Sequence, residues 1–167
     1  SGGTTLDKAI ISSCPSKNIR NQRTIGGEIV MARPDSELMA YLYAAEARLG
    51  LHGIQSPIRI MDWDGKGILT NIIIPVSNIT LERVSVLDSA PAFVIVAVSH
   101  QTDIFHICIG GKAKKMLYLQ TSNTPLESAI RKFMDEVLSI YTLDHFGSPE
   151  FKQQLVSNLL YAMTVAA

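Results

Sequence analysis

From residue 57 onward the chain alternates short apolar runs with turn residues: IRIMDW, ILTNIIIPV, ITLERVSVL, AFVIVAVSH, DIFHICI and KKMLYLQ. Six such runs in succession predict the strands of an antiparallel meander. Asp64-Gly65-Lys66-Gly67 and Gly110-Gly111 fall between runs and suit hairpin turns, where glycine accepts a positive φ. In DIFHICI, Phe105, Ile107 and Ile109 alternate with His106 and Cys108, which predicts one buried face and one partly polar face. AFVIVAV does not alternate, so it belongs in the sheet centre with both faces covered.

Helical spacing dominates elsewhere. Residues 25–32 (IGGEIVMA) predict a short strand, and Pro34-Asp35-Ser36 then starts a helix with Glu37 in its first turn. Leu38, Leu42, Ala45 and Leu49 continue it, with Arg48 near its end and Gly50 as the stop. Thr124-Pro125-Leu126-Glu127 reads as a capping box opening a helix whose inward stripe is Leu126, Ile130, Phe133, Val137 and Ile140. Gly147 is expected to end that helix, with His145 in its last turn. Ser148, Pro149 and Glu150 start another, striped by Phe151, Leu155 and Leu159, with Val156, Leu160 and Met163 beside them. Residues 1–23 show neither period and are expected to form a flexible polar and basic arm, leaving 24–167 as a single globular domain. The fold class is therefore α+β: an antiparallel multistranded sheet packed against a helix of the N-terminal half and two C-terminal helices.

Composition adds a partner. Apolar residues make up 47% of the 167 and charged residues 18%, an apolar balance that suggests surface covered by self-association. Fifteen basic and fifteen acidic residues cancel, so anion binding would need a local cluster. Two clusters exist, Lys17, Arg20 and Arg23 in the arm and Lys112, Lys114 and Lys115 in a turn; both are candidates for contact with an anionic surface. Cys14 and Cys108 are too few for a disulfide framework, which points to a reducing compartment. With no apolar run near the roughly 20 residues of a spanning helix, and no secretory signal, the expected location is intracellular and not transmembrane.

The chemistry-bearing residues do not assemble into a motif. His52, His100, His106 and His145 lack metal-ligand spacing, although His106 and Cys108 share a strand face. Asp62-Trp63-Asp64-Gly65-Lys66-Gly67 begins like a calcium loop but has Ile73 at the twelfth position. Asp144-His145 has no nucleophile elbow to serve, and Glu28, Asp62 and Asp64 are an unsupported carboxylate set. These absences lead to an expectation of no enzyme activity, no catalytic residues, no metal and no cofactor.

Two stretches resemble a known family. Lys17-Asn18-Ile19-Arg20-Asn21, then Gly27-Glu28-Ile29-Val30, then a helix ending at Gly50-Leu51-His52-Gly53, is similar to the entry of the globular part of rhabdovirus matrix proteins. Asp144-His145-Phe146, with Ser148 and Phe151 leading into an apolar helix, resembles their C-terminal helix region. The chain departs from that family in lacking a strongly basic tail and a PPxY motif. The resemblance implies a non-enzymatic viral structural protein that self-associates and bridges ribonucleoprotein and membrane in virion assembly, in host cytoplasm and virion, without a small-molecule substrate. Residues 116–141 also resemble the last strand and helix of sedlin-type trafficking subunits, which implies a longin-like adaptor instead.

Overall fold

The computed structural model describes residues 4–14, 16–75, 78–122 and 126–165. Four short helices come first: α1 (Thr5–Ser13), α2 (Lys17–Arg20), α3 (Ile25–Met31) and α4 (Glu37–Ala44). Seven strands follow: β1 (Arg48–Leu51), β2 (Ile58–Arg59), β3 (Leu69–Ile73), β4 (Ile79–Val84), β5 (Val94–Gln101), β6 (Ile104–Gly111) and β7 (Leu117–Ser122). A 3-10 turn, Ile60–Asp62, follows β2, and α5 (Leu126–Ile140) and α6 (Pro149–Val165) close the order. The α+β class with antiparallel sheets is as expected. The strands, however, form two sheets: a small one ordered β2-β1-β3 and a four-stranded meander β4-β5-β6-β7.

The four-stranded sheet divides two cores. Ile95, Ala97 and Cys108 face α4 and pack with Leu38, Met39, Leu42 and Leu49. Val94, Val96, Val98, Phe105, Ile107 and Ile109 face the other way, onto Phe133, Val137, Ile140, Val156 and Leu160 of α5 and α6. Strand alternation sends successive residues to opposite faces, and here both faces meet apolar helices. Hence β5 is buried throughout its apolar run, as expected, but β6 is too: His106 and Cys108 are enclosed rather than lining a partly polar face. No helix of the described residues is long and apolar enough to cross a membrane.

Several local expectations give way. Residues 25–31 are helical, because the Thr24 hydroxyl accepts from the Gly27 N–H at 3.0 Å and nucleates a turn that two glycines alone would not hold. The helix starting at Ser36 stops at Ala44: Glu46 takes a left-handed φ of 53°, and Leu49 becomes a buried strand residue. Gly50 is thus not a helix stop but a strand position facing the Asn71 side chain. Gly110 and Gly111 lie at the end of β6 rather than in the turn, and Gly111 N–H donates to the Pro34 carbonyl at 2.7 Å.

At the C-terminal end, Thr124-Pro125 lies outside the described residues, but the expected stripe Phe133, Val137 and Ile140 is buried. His145 is in the connection after α5, its ring tilted on Phe146, and is not a helix end. Ser148 caps α6 through the Phe151 N–H at 3.3 Å, with Pro149 first in the helix. The buried stripe of α6 is Lys152, Val156, Leu160 and Met163, one position on from Phe151, which is about half exposed. Within the stretch expected as a flexible arm, residues 5–13 form a helix capped by Thr4 and Asp7, with Ala9 buried in the α4 core.

Candidate functional site

Residues of α1, α2 and α3 meet at a corner of the N-terminal half. Thr24 turns the chain into α3: its hydroxyl takes the Gly27 N–H and its carbonyl takes the Glu28 N–H at 3.1 Å. That leaves the amides of Ile25 and Gly26 with no protein acceptor among the described residues, on a turn where Thr24, Ile25 and Gly27 are exposed. A Cβ added at Gly26 would touch only Leu69 Cδ2, at 3.7 Å, so space over that glycine is open, whereas one at Gly27 would lie 3.2 Å from Thr24 Oγ1. Exposed amides beside glycine admit close approach by an anionic oxygen.

The turn is braced from behind. Glu28, nearly fully buried, bonds Arg23 on one side and Arg33 Nη2 at 3.2 Å on the other. Arg23 also donates to the Ser13 carbonyl at 3.2 Å, and Arg20 to the Cys14 carbonyl at 2.7 Å. A cleft of about 90 Å³ opens here, lined by Ile10, Cys14, Arg20, Arg23, Ile25 and Leu38 among others.

The two basic clusters line different clefts. Arg20 and Arg23 belong to the α1–α3 corner, and Lys17 is exposed on α2. Lys112 pairs with Asp35 at 3.6 Å, Lys114 donates to the Ser139 carbonyl at 3.2 Å, and Lys115 is exposed. The carboxylates Glu28, Asp62 and Asp64 do not converge: each has its own cation, with Arg59 near Asp62 and Lys66 near Asp64. Asp144 bonds Lys152 Nζ at 2.7 Å rather than His145. No group of three or more His, Cys, Asp or Glu among the described residues could hold a metal.

A second polar cluster lies between the sheets. Tyr118 Oη donates to Glu46 Oε1 at 2.9 Å and meets His106 Nδ1 at 2.7 Å, while Arg59 Nη2 sits 2.8 Å from the same Glu46 oxygen. Burial pulls the His106 imidazole below its ordinary pKa, with Glu46 acting against and Arg59 with that shift. Burial and the Glu46 carboxylate push the Tyr118 phenol well up, and burial alone pushes up the Cys108 thiol.

Residues 6–77 match the family model described as the FAD binding domain in molybdopterin dehydrogenase. That stretch contains the whole α1–α3 corner. No curated protein sequence matches the chain. Among solved structures, carbon monoxide dehydrogenase from Hydrogenophaga pseudoflava superposes with a TM-score of 0.63 at 16% identity, covering 92% of this chain and 67% of that one. CO dehydrogenase from Oligotropha carboxidovorans gives 0.65 at 17%, covering 94% and 70%. Quinoline 2-oxidoreductase from Pseudomonas putida 86 gives 0.61 at 15%, covering 93% and 66%. The chain has the fold of these matched chains.

These findings overturn the matrix-protein resemblance and the adaptor alternative. The fold is that of oxidoreductase chains, and the Gly27–Val30 stretch expected as a matrix-like strand is helix. The non-enzymatic assignment, and the self-association, ribonucleoprotein and anionic-membrane partners without a small-molecule substrate, fall with it. The viral location loses its basis as well. The Thr24–Gly27 turn went unseen because IGGEIV reads as a strand; the available signal was a threonine cap followed by an acid in the first helical turn.

Proposed function

We propose that this chain is part of the FAD-binding portion of a molybdopterin-dependent oxidoreductase. The observation that carries the reading is the family match over residues 6–77, the stretch in which Thr24 to Gly27 present two open amides beside paired glycines. These residues fit the diphosphate end of FAD, whose oxygens need N–H donors and close backbone approach. A 90 Å³ cleft is far below the few hundred Å³ that enclose a ligand of drug size, so the corner supplies one wall of a larger site.

In this reading Ile25 and Gly26 donate to a diphosphate oxygen, and the Glu28 clamp between Arg23 and Arg33 keeps the turn in register. Arg20 and Arg23, placed beside the turn, add positive field, while the cluster at Lys112, Lys114 and Lys115 remains a separate proposed anion contact. FAD, when bound, supplies the electron-carrying chemistry. The matched structures oxidise carbon monoxide in two cases and quinoline in another, yet share this fold, which supports a role in carrying electrons rather than in choosing the substrate.

The test is calorimetric titration of the full protein with FAD and with riboflavin, which lacks the diphosphate. FAD is expected to bind at least about tenfold more tightly, and Gly27→Glu to abolish the difference by placing a carboxylate where the diphosphate lies. Equal affinity for both ligands would remove the diphosphate assignment.

A further inference from the structure

We propose that Glu46, Arg59, His106 and Tyr118 form an acid-opened latch that fastens residues 58–62 to the four-stranded sheet. The proposal is independent of the flavin reading. Its four residues come from four places: the turn between α4 and β1, strand β2, strand β6 and strand β7. Two of them lie within the family-matched stretch and two beyond it, so the latch joins the two parts of the chain.

The hydrogen count fixes its wiring. A tyrosine hydroxyl has one hydrogen, and Tyr118 gives it to Glu46. His106 Nδ1, 2.7 Å from the same hydroxyl, must therefore be the donor, and an added proton has to go to Nε2. Arg59 already sits on the Glu46 oxygen and lies 3.4 Å from the Tyr118 hydroxyl. With His106 itself buried, a charged imidazole would thus be a second cation beside one half-buried carboxylate, its Nδ1 3.7 Å from that oxygen. Facing groups elsewhere do not relieve this. Asp62 lies toward Arg59 at 3.9 Å, and the partners across the ladders are Ser99 on β5 and Gln120 on β7, both uncharged. Cys108 is neutral, and Glu37 of α4 is engaged with Arg83.

The part that can yield is residues 58–62. β2 has only two ladder partners on β1, Arg48 and Leu49, and Ile60 N–H holds the Ala47 carbonyl at 2.9 Å. On the other side of Ala47, Glu46 is in left-handed backbone, a conformation kept by its surroundings. Lifting residues 58–62 does both things a charged imidazole needs: it admits water and removes Arg59. β6, paired along its length to β5 and from Ile104 to Ile109 to β7, stays in place.

Opening therefore takes up one proton, and its equilibrium should rise by up to about tenfold per pH unit as pH falls below the ordinary histidine range. The measurement is native-state hydrogen exchange of the Ile60 amide between pH 7 and 5, corrected for intrinsic rates, with β5 amides as internal control. Ile60 protection should fall with that slope while β5 protection holds, and His106→Gln, which cannot take the proton, should flatten the slope. A slope unchanged in His106→Gln would overturn the latch. Should that variant not fold, imidazole NMR of the wild type decides: His106 titrating at or above an ordinary histidine, with Ile60 protection constant, would also overturn it.

Discussion

Single residues set the tolerances of this fold. Gly111 has a φ of 113°, and a Cβ there would collide with the Phe93 backbone carbonyl. Gly111→Ala should cost about 2 kcal/mol or more in urea unfolding, because strain and overpacking act together. In the sequence this glycine suits a turn, since Gly-Gly ahead of lysines looks like a hairpin; the close approach of Pro34 and Phe93 is a long-range fact. His106 was visible as a polar residue on a strand, but its three partners lie at sequence distances no pattern spans. Burial depresses its pKa. Its stability contribution is thus fully present above the unfolded value and lost as pH falls through the folded one. A Tyr118→Phe variant should be less stable at neutral pH by about 1 kcal/mol, since Glu46 loses a donor in a half-buried place; chemical denaturation would show it.

At the scale of elements, long periodic stretches were legible and short capped ones were not. The β4–β7 runs and α5 follow their patterns because both faces of the sheet and one face of the helix are covered by apolar neighbours. The region from α3 to β1 defeated the pattern: a threonine cap made a helix of glycines, and the left-handed Glu46 ended another helix before Leu49. The α5–α6 junction was read as punctuation alone, yet its fully buried Lys152 bonds Asp144 and, at 2.9 Å, the Thr142 carbonyl. Burial works to raise the Asp144 carboxyl, but its bonds to Lys152 and the Phe146 N–H hold it below the usual range. Asp144→Asn leaves a buried ammonium without its counter-charge and should destabilise by about 3 kcal/mol, whereas Lys152→Met, which removes the charge and keeps the stem's packing, should cost less. Thermal unfolding of the two variants gives the order; Lys152→Met as the more harmful would contradict the pairing.

For the whole molecule, the sheet between two cores makes the N-terminal helices more than an appendage. Ala9 fills the α4 side and Arg23 braces Glu28, so a chain starting at Thr24 should melt at least about 5 °C lower. An unchanged melting temperature would instead support the division at residue 23. The fold class was legible because it depends on period and element order. The candidate site was not, because its threonine cap and first-turn acid flank a glycine pair and apolar run that suit a strand equally well. The most direct test of the flavin reading is the flavin content of the natural protein, purified with whatever chains accompany it and measured by absorbance after acid release. One FAD per chain is expected, lost on Gly27→Glu with the fold intact by circular dichroism; folded natural protein that carries no flavin and takes none up from added FAD would contradict the flavin assignment.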